Sequence, residues 1–453
     1  MSDRNQRQTV SDTSLLNYFV KTIGIQIGVV FVVIALLVIV FLTFQSIFPR
    51  QDQQDQSAPP ISEDNASNSE NTTSADVNVT DTLNAVCSQY SSKDIYLRDA
   101  HPDIWYDDYT LWSNGKKRAI ALYGGTEETE RAVGLALRWL KSRQSTDGSW
   151  TNNSDNAKPS LNVNGATGLA ALPFLAAGCL DSTSEYKDAV ESSLNYLIQH
   201  GKTGEDFNGV RYCEPDEPFY NHALAALALG EAAVRTGKSE YFKAAKGAME
   251  YLAHCQNPNS GVWDSVLSDD NLINTSWSVE ALRGAYRTSY DSAFDAARKV
   301  RLFLDSVQNA SNDARSTSDS ITSKAAQEIL LRIYLYPFDS IPNLESSVER
   351  LCKIGPTNDS YYNYIATQIL FHYGGAPWKE WNAAMREKLI NAQIQTGTEA
   401  GSWNFTNEQS SPKAVFSSSP FIDTALSALT LETYYRYKPR HLKWEYEKGF
   451  PTE

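Results

Sequence analysis

The residues best equipped for chemistry sit at the starts of segments rich in small side chains. Tyr220-Asn221-His222 opens one such segment, and His222 is the strongest single candidate. An imidazole in the first turn of a buried helix feels the positive end of the dipole, which lowers its pKa and favours the neutral form. Neutral imidazole can serve as a base or as a metal ligand. It can equally be a packing histidine held by hydrogen bonds in a core. Asp423, near the start of the last such segment, is the matching acid, and a catalytic carboxylate and a first-turn cap are the two readings open to it. Asn164, Thr167, Tyr220, Asn221, Thr275, Trp277, Tyr361 and Tyr362 complete the candidate ligand-binding set. Trp277 with the two tyrosines would wall a site for a sugar, lipid or peptide, or would simply fill an interior. Glu214, Asp216, Glu217, Asp269 and Asp270 form acidic loops without the spacing of a calcium loop, so they read as a solvated rim. Cys213, Glu214 and His222 are too few for structural zinc, which normally takes four ligands. No metal and no cofactor is expected.

These residues must be positioned by helices of two kinds. Amphipathic runs carry one apolar stripe: Val133, Ala136, Leu137 and Leu140 follow i, i+3, i+4, i+7 spacing. Thr126 precedes that run as an N-cap, Glu127, Glu128 and Glu130 fill the first turn, and Lys141 and Arg143 close the last, an order that complements the dipole. Comparable runs lie near 185–200, 240–256, 291–308, 344–353 and 377–395, the fifth of them short. Alternating with these are segments apolar nearly all round, starting near 165, 220, 275, 323, 361 and 421. A helix without a polar face must be buried on most sides. Six buried helices inside six amphipathic ones predict an all-α (α/α)6 toroid. All buried N-termini would then point to one face, where the candidate residues lie. An open solenoid would leave its concave row partly polar, which this row is not.

The sequence has 453 residues with 42% hydrophobic content, a formal net charge of −14 and a pI near 5.0. That balance argues against nucleic acid, which selects for basic faces. The five cysteines are widely spaced with no C-x-x-C pair, so neither a zinc ribbon nor a redox motif is present. Ile23 to Phe44 is an uncharged run whose 22 residues would span roughly 33 Å as a helix, enough for a bilayer core of about 30 Å. It is too long for a signal-peptide core and ends without a small-residue cleavage site. Arg4, Arg7 and Lys21 precede it, so the cationic side stays in the cytoplasm and the remainder lies outside. The expected organisation is a cytoplasmic N-terminus (1–22), a transmembrane anchor (23–48), an acidic flexible linker (49–82), an irregular arm (83–118), the toroid (119–440) and a tail (441–453). The expected location is the inner membrane, single-pass, with residues 23–44 as the membrane contact.

A phrase recurs after the amphipathic runs: Gln144 to Gly148-Ser-Trp150, Gln256 to Gly261-Val-Trp263, and Gln395 to Gly401-Ser-Trp403. Its mechanics are those of a staple: Gln bonds open carbonyls, Gly supplies positive φ and Trp covers the joint. The phrase is similar to the repeat of squalene–hopene cyclases and of protein prenyltransferase β subunits. Tyr123-Gly-Gly-Thr-Glu-Glu-Thr-Glu-Arg-Ala-Val, His372-Tyr-Gly-Gly-Ala-Pro-Trp-Lys-Glu-Trp-Asn and the ending from Thr424 to Tyr437 resemble bacterial membrane-anchored proteins carrying these repeats. The resemblance covers about residues 118–440 and implies architecture rather than mechanism.

The chemistries that such a resemblance brings with it are not matched by this sequence. Class II cyclases protonate an alkene with an Asp-x-Asp-Asp motif; here Asp269-Asp270 is preceded by Leu267, and Asp107-Asp108 by Trp105, where the first Asp should stand. Zinc prenyltransferases need Asp-x-Cys, and no cysteine here has Asp two residues before it. The thioester Cys-Gly-Glu-Gln is also missing. The leading expectation is therefore a binding or scaffold protein of the cell envelope, with an envelope polymer, peptide or lipid as partner. The alternative is an enzyme using the central pocket, of terpenoid/isoprenoid or polysaccharide-degrading type.

Overall fold

The computed structural model describes residues 116–152, 161–263, 271–285, 290–311, 323–336, 338–405 and 419–440. In chain order the helices are α1 (Lys116–Tyr123), α2 (Glu127–Ser142), α3 (Val163–Ala177), α4 (Lys187–His200), α5 (Tyr220–Thr236), α6 (Ser239–Cys255), α7 (Asn271–Ala285), α8 (Tyr290–Ser311), α9 (Ser323–Leu335), α10 (Leu344–Ile354), α11 (Ser360–Tyr373), α12 (Gly375–Ala392), α13 (Pro420–Leu431) and α14 (Thr433–Arg436). The expected anchor 23–48, linker 49–82 and tail 441–453 lie outside the described residues, as does the arm apart from Lys116–Arg118, which begin α1. No helix among the described residues is long and apolar enough to cross a membrane.

The odd-numbered helices α3, α5, α7, α9, α11 and α13 form the inner wall. Each packs on the next, and α13 returns to α3. The ring is therefore closed, as the all-round apolar sequence of these helices requires. Small residues set the spacing. A Cβ on Gly168 of α3 would lie 2.6 Å from the backbone carbonyl of Leu224 in α5, so only glycine allows these two helices to approach so closely. The even-numbered helices α2 to α12 form the outer wall, with α2 against α12, α6 against α8 and α10 against α12. Their amphipathic stripes face inward; Val133, Ala136, Leu137 and Leu140 of α2 are all buried. The cap on α2 is the expected Thr126, in a reciprocal pair with Thr129: Thr129 N donates to Thr126 Oγ1 and Thr126 N to Thr129 Oγ1. The fifth outer helix, α10, is short at 11 residues but regular.

Three staples tie neighbouring outer helices together. Trp150, Trp263 and Trp403 are fully buried, and each indole Nε1 donates to a last-turn carbonyl at 2.8 Å: Leu140 of α2, Leu252 of α6 and Leu389 of α12. A glutamine amide reaches the next outer helix: Gln144 to Ala189, Gln256 to Ala296 and Gln393 to Ala132. The third glutamine is thus Gln393, not Gln395. Gln393 is the C-cap of α12, and its loop to Gly401 spans 8 residues against 4 in the first copy, so the shorter phrase led to the wrong residue. The glycines have φ of +90, +76 and +98. A Cβ on Gly401 would lie 2.2 Å from the Leu135 carbonyl oxygen of α2. That third staple joins the last outer helix to the first and locks the closure.

Candidate functional site

The predicted residues come together at the N-terminal end of the inner wall, where they join the helices to one another. Asn162 N donates to Asn221 Oδ1 (2.9 Å), linking α3 to α5. Tyr220 N donates to Asn274 Oδ1 (3.0 Å), linking α5 to α7. Ser276 bonds Gln327 (3.3 Å) and Ser323 bonds Asp359 (2.9 Å), carrying the link to α9 and α11. Ser360 Oγ then donates to Asp423 Oδ1 (2.7 Å), and Ser419 Oγ to Asn152 Oδ1 (2.9 Å), just past the first staple. These six bonds form a belt around the ring. Asp423 also accepts Phe405 N on its second oxygen, so both carboxylate oxygens are committed to structure. Thr167, Thr275 and Thr424 are the inner ends of the three staples, each hydroxyl accepting the backbone N–H of its tryptophan.

His222 is fully buried among Tyr212, Phe219 and Tyr251. Its Nε2 donates to Ala248 O (3.0 Å), which leaves Nδ1 as the acceptor for Tyr212 N (3.3 Å). Burial holds the pKa down at about 3, partly offset by the Ala248 carbonyl. The imidazole is neutral, as the sequence suggested, but desolvation is the dominant cause and both nitrogens are bound to backbone. In this arrangement it packs. Trp277 stacks on Tyr364 (5.6 Å between centroids) and tilts against Tyr361 (6.0 Å), and all three are buried. Tyr362 is buried beside Trp381, its hydroxyl without a hydrogen-bond partner. Asp269 and Asp270 lie outside the described residues.

Further along the inner helices lies an ionic cluster that the N-terminal focus of the sequence reading missed. Arg436 at the end of α14 donates to Glu231 Oε1 of α5 from Nη2 (2.7 Å) and Nε (3.1 Å), both side chains being fully buried. Arg235 holds the other Glu231 oxygen at 3.1 Å. Arg436 Nη1 also donates to Tyr364 OH (3.0 Å), which donates onward to Glu280 Oε2 (2.7 Å). Gln368 and Tyr437 complete the surroundings of Glu280, and Arg283 lies 3.5 Å over the Tyr334 ring. Burial raises the Glu280 carboxyl, and the Arg436 and Arg283 charges oppose that rise. Glu432 is raised well above the usual carboxylate range, chiefly by burial, with Lys116 opposing and Glu130 reinforcing. A signal existed in the sequence: Glu231, Glu280 and Glu432 are acids set well inside otherwise apolar segments. Charged groups are almost never fully buried unless paired, so such an acid marks a network.

The wall also carries a cleft of about 240 Å³ at the N-terminal end of α3. Asn162 and Asn164 form one side, Tyr196 and His200 of α4 another, and Lys202, Arg211, Glu214 and Glu217 the third. Tyr196 and His200 are stacked, with centroids 3.8 Å apart. Glu214 pairs with both Lys202 and Arg211, and the Lys202 hydrogen bond holds its carboxyl below the usual range. Glu217 Oε2 accepts from Glu214 N (2.8 Å) and from Asn162 Nδ2 (2.5 Å). Of the candidate ligand-binding set only Asn164 lines this cleft, beside Glu214 and Glu217 of the expected acidic rim; its Nδ2 donates to Tyr212 O, and its Oδ1 has no hydrogen-bond partner.

No family model and no curated protein matches the chain. Among solved structures it is similar to a GH76 α-mannanase from Bacteroides thetaiotaomicron, with 12% identity over 70% of this chain and 98% of that one, at a TM-score of 0.49. It is also similar to an α-amylase from Clostridium perfringens (11% identity, 67% and 97% coverage, TM-score 0.44). A third is a type II terpene cyclase from Scytonema in complex with merosterolic acid A (14% identity, 68% and 96% coverage, TM-score 0.42). The described residues themselves form a closed ring of alternating inner and outer helices, an α/α toroid, on the evidence of their own helix order and packing.

Proposed function

We propose that this chain is a membrane-anchored, extracytoplasmic toroid that binds an envelope component and acts as a scaffold rather than as a catalyst. The observation that carries this reading is the mutual engagement of the polar and aromatic side chains buried between the inner helices. The Arg436–Glu231 pair, the Tyr364–Glu280 bond and the Trp277 stack occupy side chains that a catalytic pocket would need to present to substrate. A buried, mutually hydrogen-bonded network holds helices in register, whereas a reacting group must reach a bound molecule. The anchor rests on residues 23–44 and their flanking charges.

The enzyme alternative has one observation in its favour. Glu432 is a buried acid whose carboxyl burial raises well above the usual range, the direction of shift a general acid needs. To separate the two readings, the full chain in lipid nanodiscs is incubated with polyprenyl substrates and with envelope polysaccharides, and products are sought by mass spectrometry. No turnover is expected; turnover that Glu432→Gln abolishes would establish the enzyme instead. Protease treatment of spheroplasts tests the topology: digestion of the toroid from outside is expected, and full protection would remove the extracytoplasmic placement.

A further inference from the structure

We propose that the cleft between α3, the end of α4 and the 202–217 loop binds a neutral saccharide. This rests on the binding-protein reading above and names its ligand class. The argument begins with charge. Lys202 and Arg211 are matched by Glu214 and Glu217, and Glu214 holds both cations, so the wall carries two formal charges of each sign. A ligand with strong net charge of either sign meets as much repulsion as attraction there. A lipid tail is also poorly matched, because ion pairs and amides border the space where it would need apolar walls.

The remaining features suit hydroxyl groups. Asn164, Arg211 and Glu217 are planar side chains carrying donor or acceptor atoms that suit hydroxyls, while the Asn162 amide is held by Gly165, Tyr212 and Glu217 and shapes the wall. Among the buried polar atoms of this wall, Asn164 Oδ1 and Arg211 Nε, an acceptor and a donor, have no hydrogen-bond partner. The stacked Tyr196–His200 pair supplies a ring surface for the C–H face of a sugar, with His200 exposed and its Nδ1 fixed by donation to Tyr196 O at 2.8 Å. The volume of about 240 Å³ falls below the roughly 300–1,000 Å³ of pockets for drug-sized ligands. It fits one ring, or the end of a glycan chain.

The test is saturation-transfer NMR on the full chain in nanodiscs, with neutral hexasaccharides of glucose and mannose as probes. Hexagalacturonate and hexaglucosamine serve as the anionic and cationic comparisons. At least one neutral hexamer is expected to bind, with affinity at least tenfold weaker in Asn164→Ala and in His200→Ala. His200 is exposed, so its variant should leave the melting temperature unchanged and separates binding from folding. Preference for a charged hexamer, or no hexamer binding, would overturn the saccharide inference while the binding-protein reading is judged by its own assay. Binding untouched by both variants would remove the cleft and leave that reading intact. Release of shorter sugars from a bound hexamer, lost in the two variants, would keep the cleft and overturn the non-catalytic reading.

Discussion

The two ends of the inner wall are held together by different chemistry. At the N-terminal end, amides and hydroxyls pass most hydrogen bonds from helix to helix, and two of the six belt bonds end on the carboxylates of Asp359 and Asp423. Deeper along α5, α7 and α14, the joints are ionic, with Arg436 between Glu231 and Tyr364. Neutral bonds of the first kind contribute about 0.5–1.5 kcal/mol each and can be lost singly. Buried ions behave differently. Desolvation consumes much of what their attraction gives, yet removing one partner strands the other without water. The belt should therefore tolerate substitution, and the ionic cluster should not.

Removing the Arg436 cation is the sharpest way to break that comparison. Arg436→Met is expected to cost about 3–5 kcal/mol in urea denaturation of the full chain in detergent micelles, because Glu231 keeps only Arg235. Adding Glu231→Gln should return much of the loss. If Arg436→Met costs no more than a belt variant, the distinction between the two ends fails.

Ring closure comes next in size. Gly401→Ala meets a positive φ and the Leu135 carbonyl together, and is expected to cost more than about 1 kcal/mol. Gly397→Ala shares a positive φ, +80, but has open space around it, and should cost less in the same assay.

The titrations differ in sign between the ends. His222 has a folded pKa of about 3 against its ordinary 6.5, so the unfolded chain binds the extra proton between those values. Its contribution to stability is complete above about pH 6.5 and falls as the pH drops toward 3, by up to about 1.4 kcal/mol per pH unit. Glu432 is raised, so the folded chain holds the extra proton above the ordinary 4.5; its contribution is complete below that and declines as pH rises. His222→Gln should flatten the acid limb of a stability–pH curve, and Glu432→Gln the alkaline limb. Unchanged limbs in either variant would assign the pH dependence to other groups.

Smaller effects complete the series. Asn221→Ala leaves the half-buried Asn162 N–H without its acceptor and is expected to cost about 1 kcal/mol. Lys202→Ala at the cleft rim removes an exposed ion pair and should change stability by about 0.5 kcal/mol or less.

Much of the architecture was legible in the residues. The alternation of amphipathic and all-apolar segments located all twelve toroid helices, because burial on every side leaves a helix no polar face to display. The staples were legible where their spacing was short, at Gln144 and Gln256; the longer loop after Gln393 hid the third. The site was less legible. Thr167, Thr275, Asn221, His222 and Asp423 stand near the predicted face, but their bonding partners lie on other helices or staples, and those partners make them joints. Nothing in Asn164 alone distinguishes it from these, yet it is the one that lines the cleft.

Periodicity and composition alone determined that this chain builds helix pairs with a buried small-residue partner in each, since hydrophobic burial acts on local pattern. Only the tertiary structure decided which polar groups meet: Arg436 finds Glu231 across 205 residues of sequence, and Ser360 finds Asp423 across 63. Hydrogen bonds and ion pairs act over a few ångströms and depend on direction, so their partners are chosen by the way the ring closes.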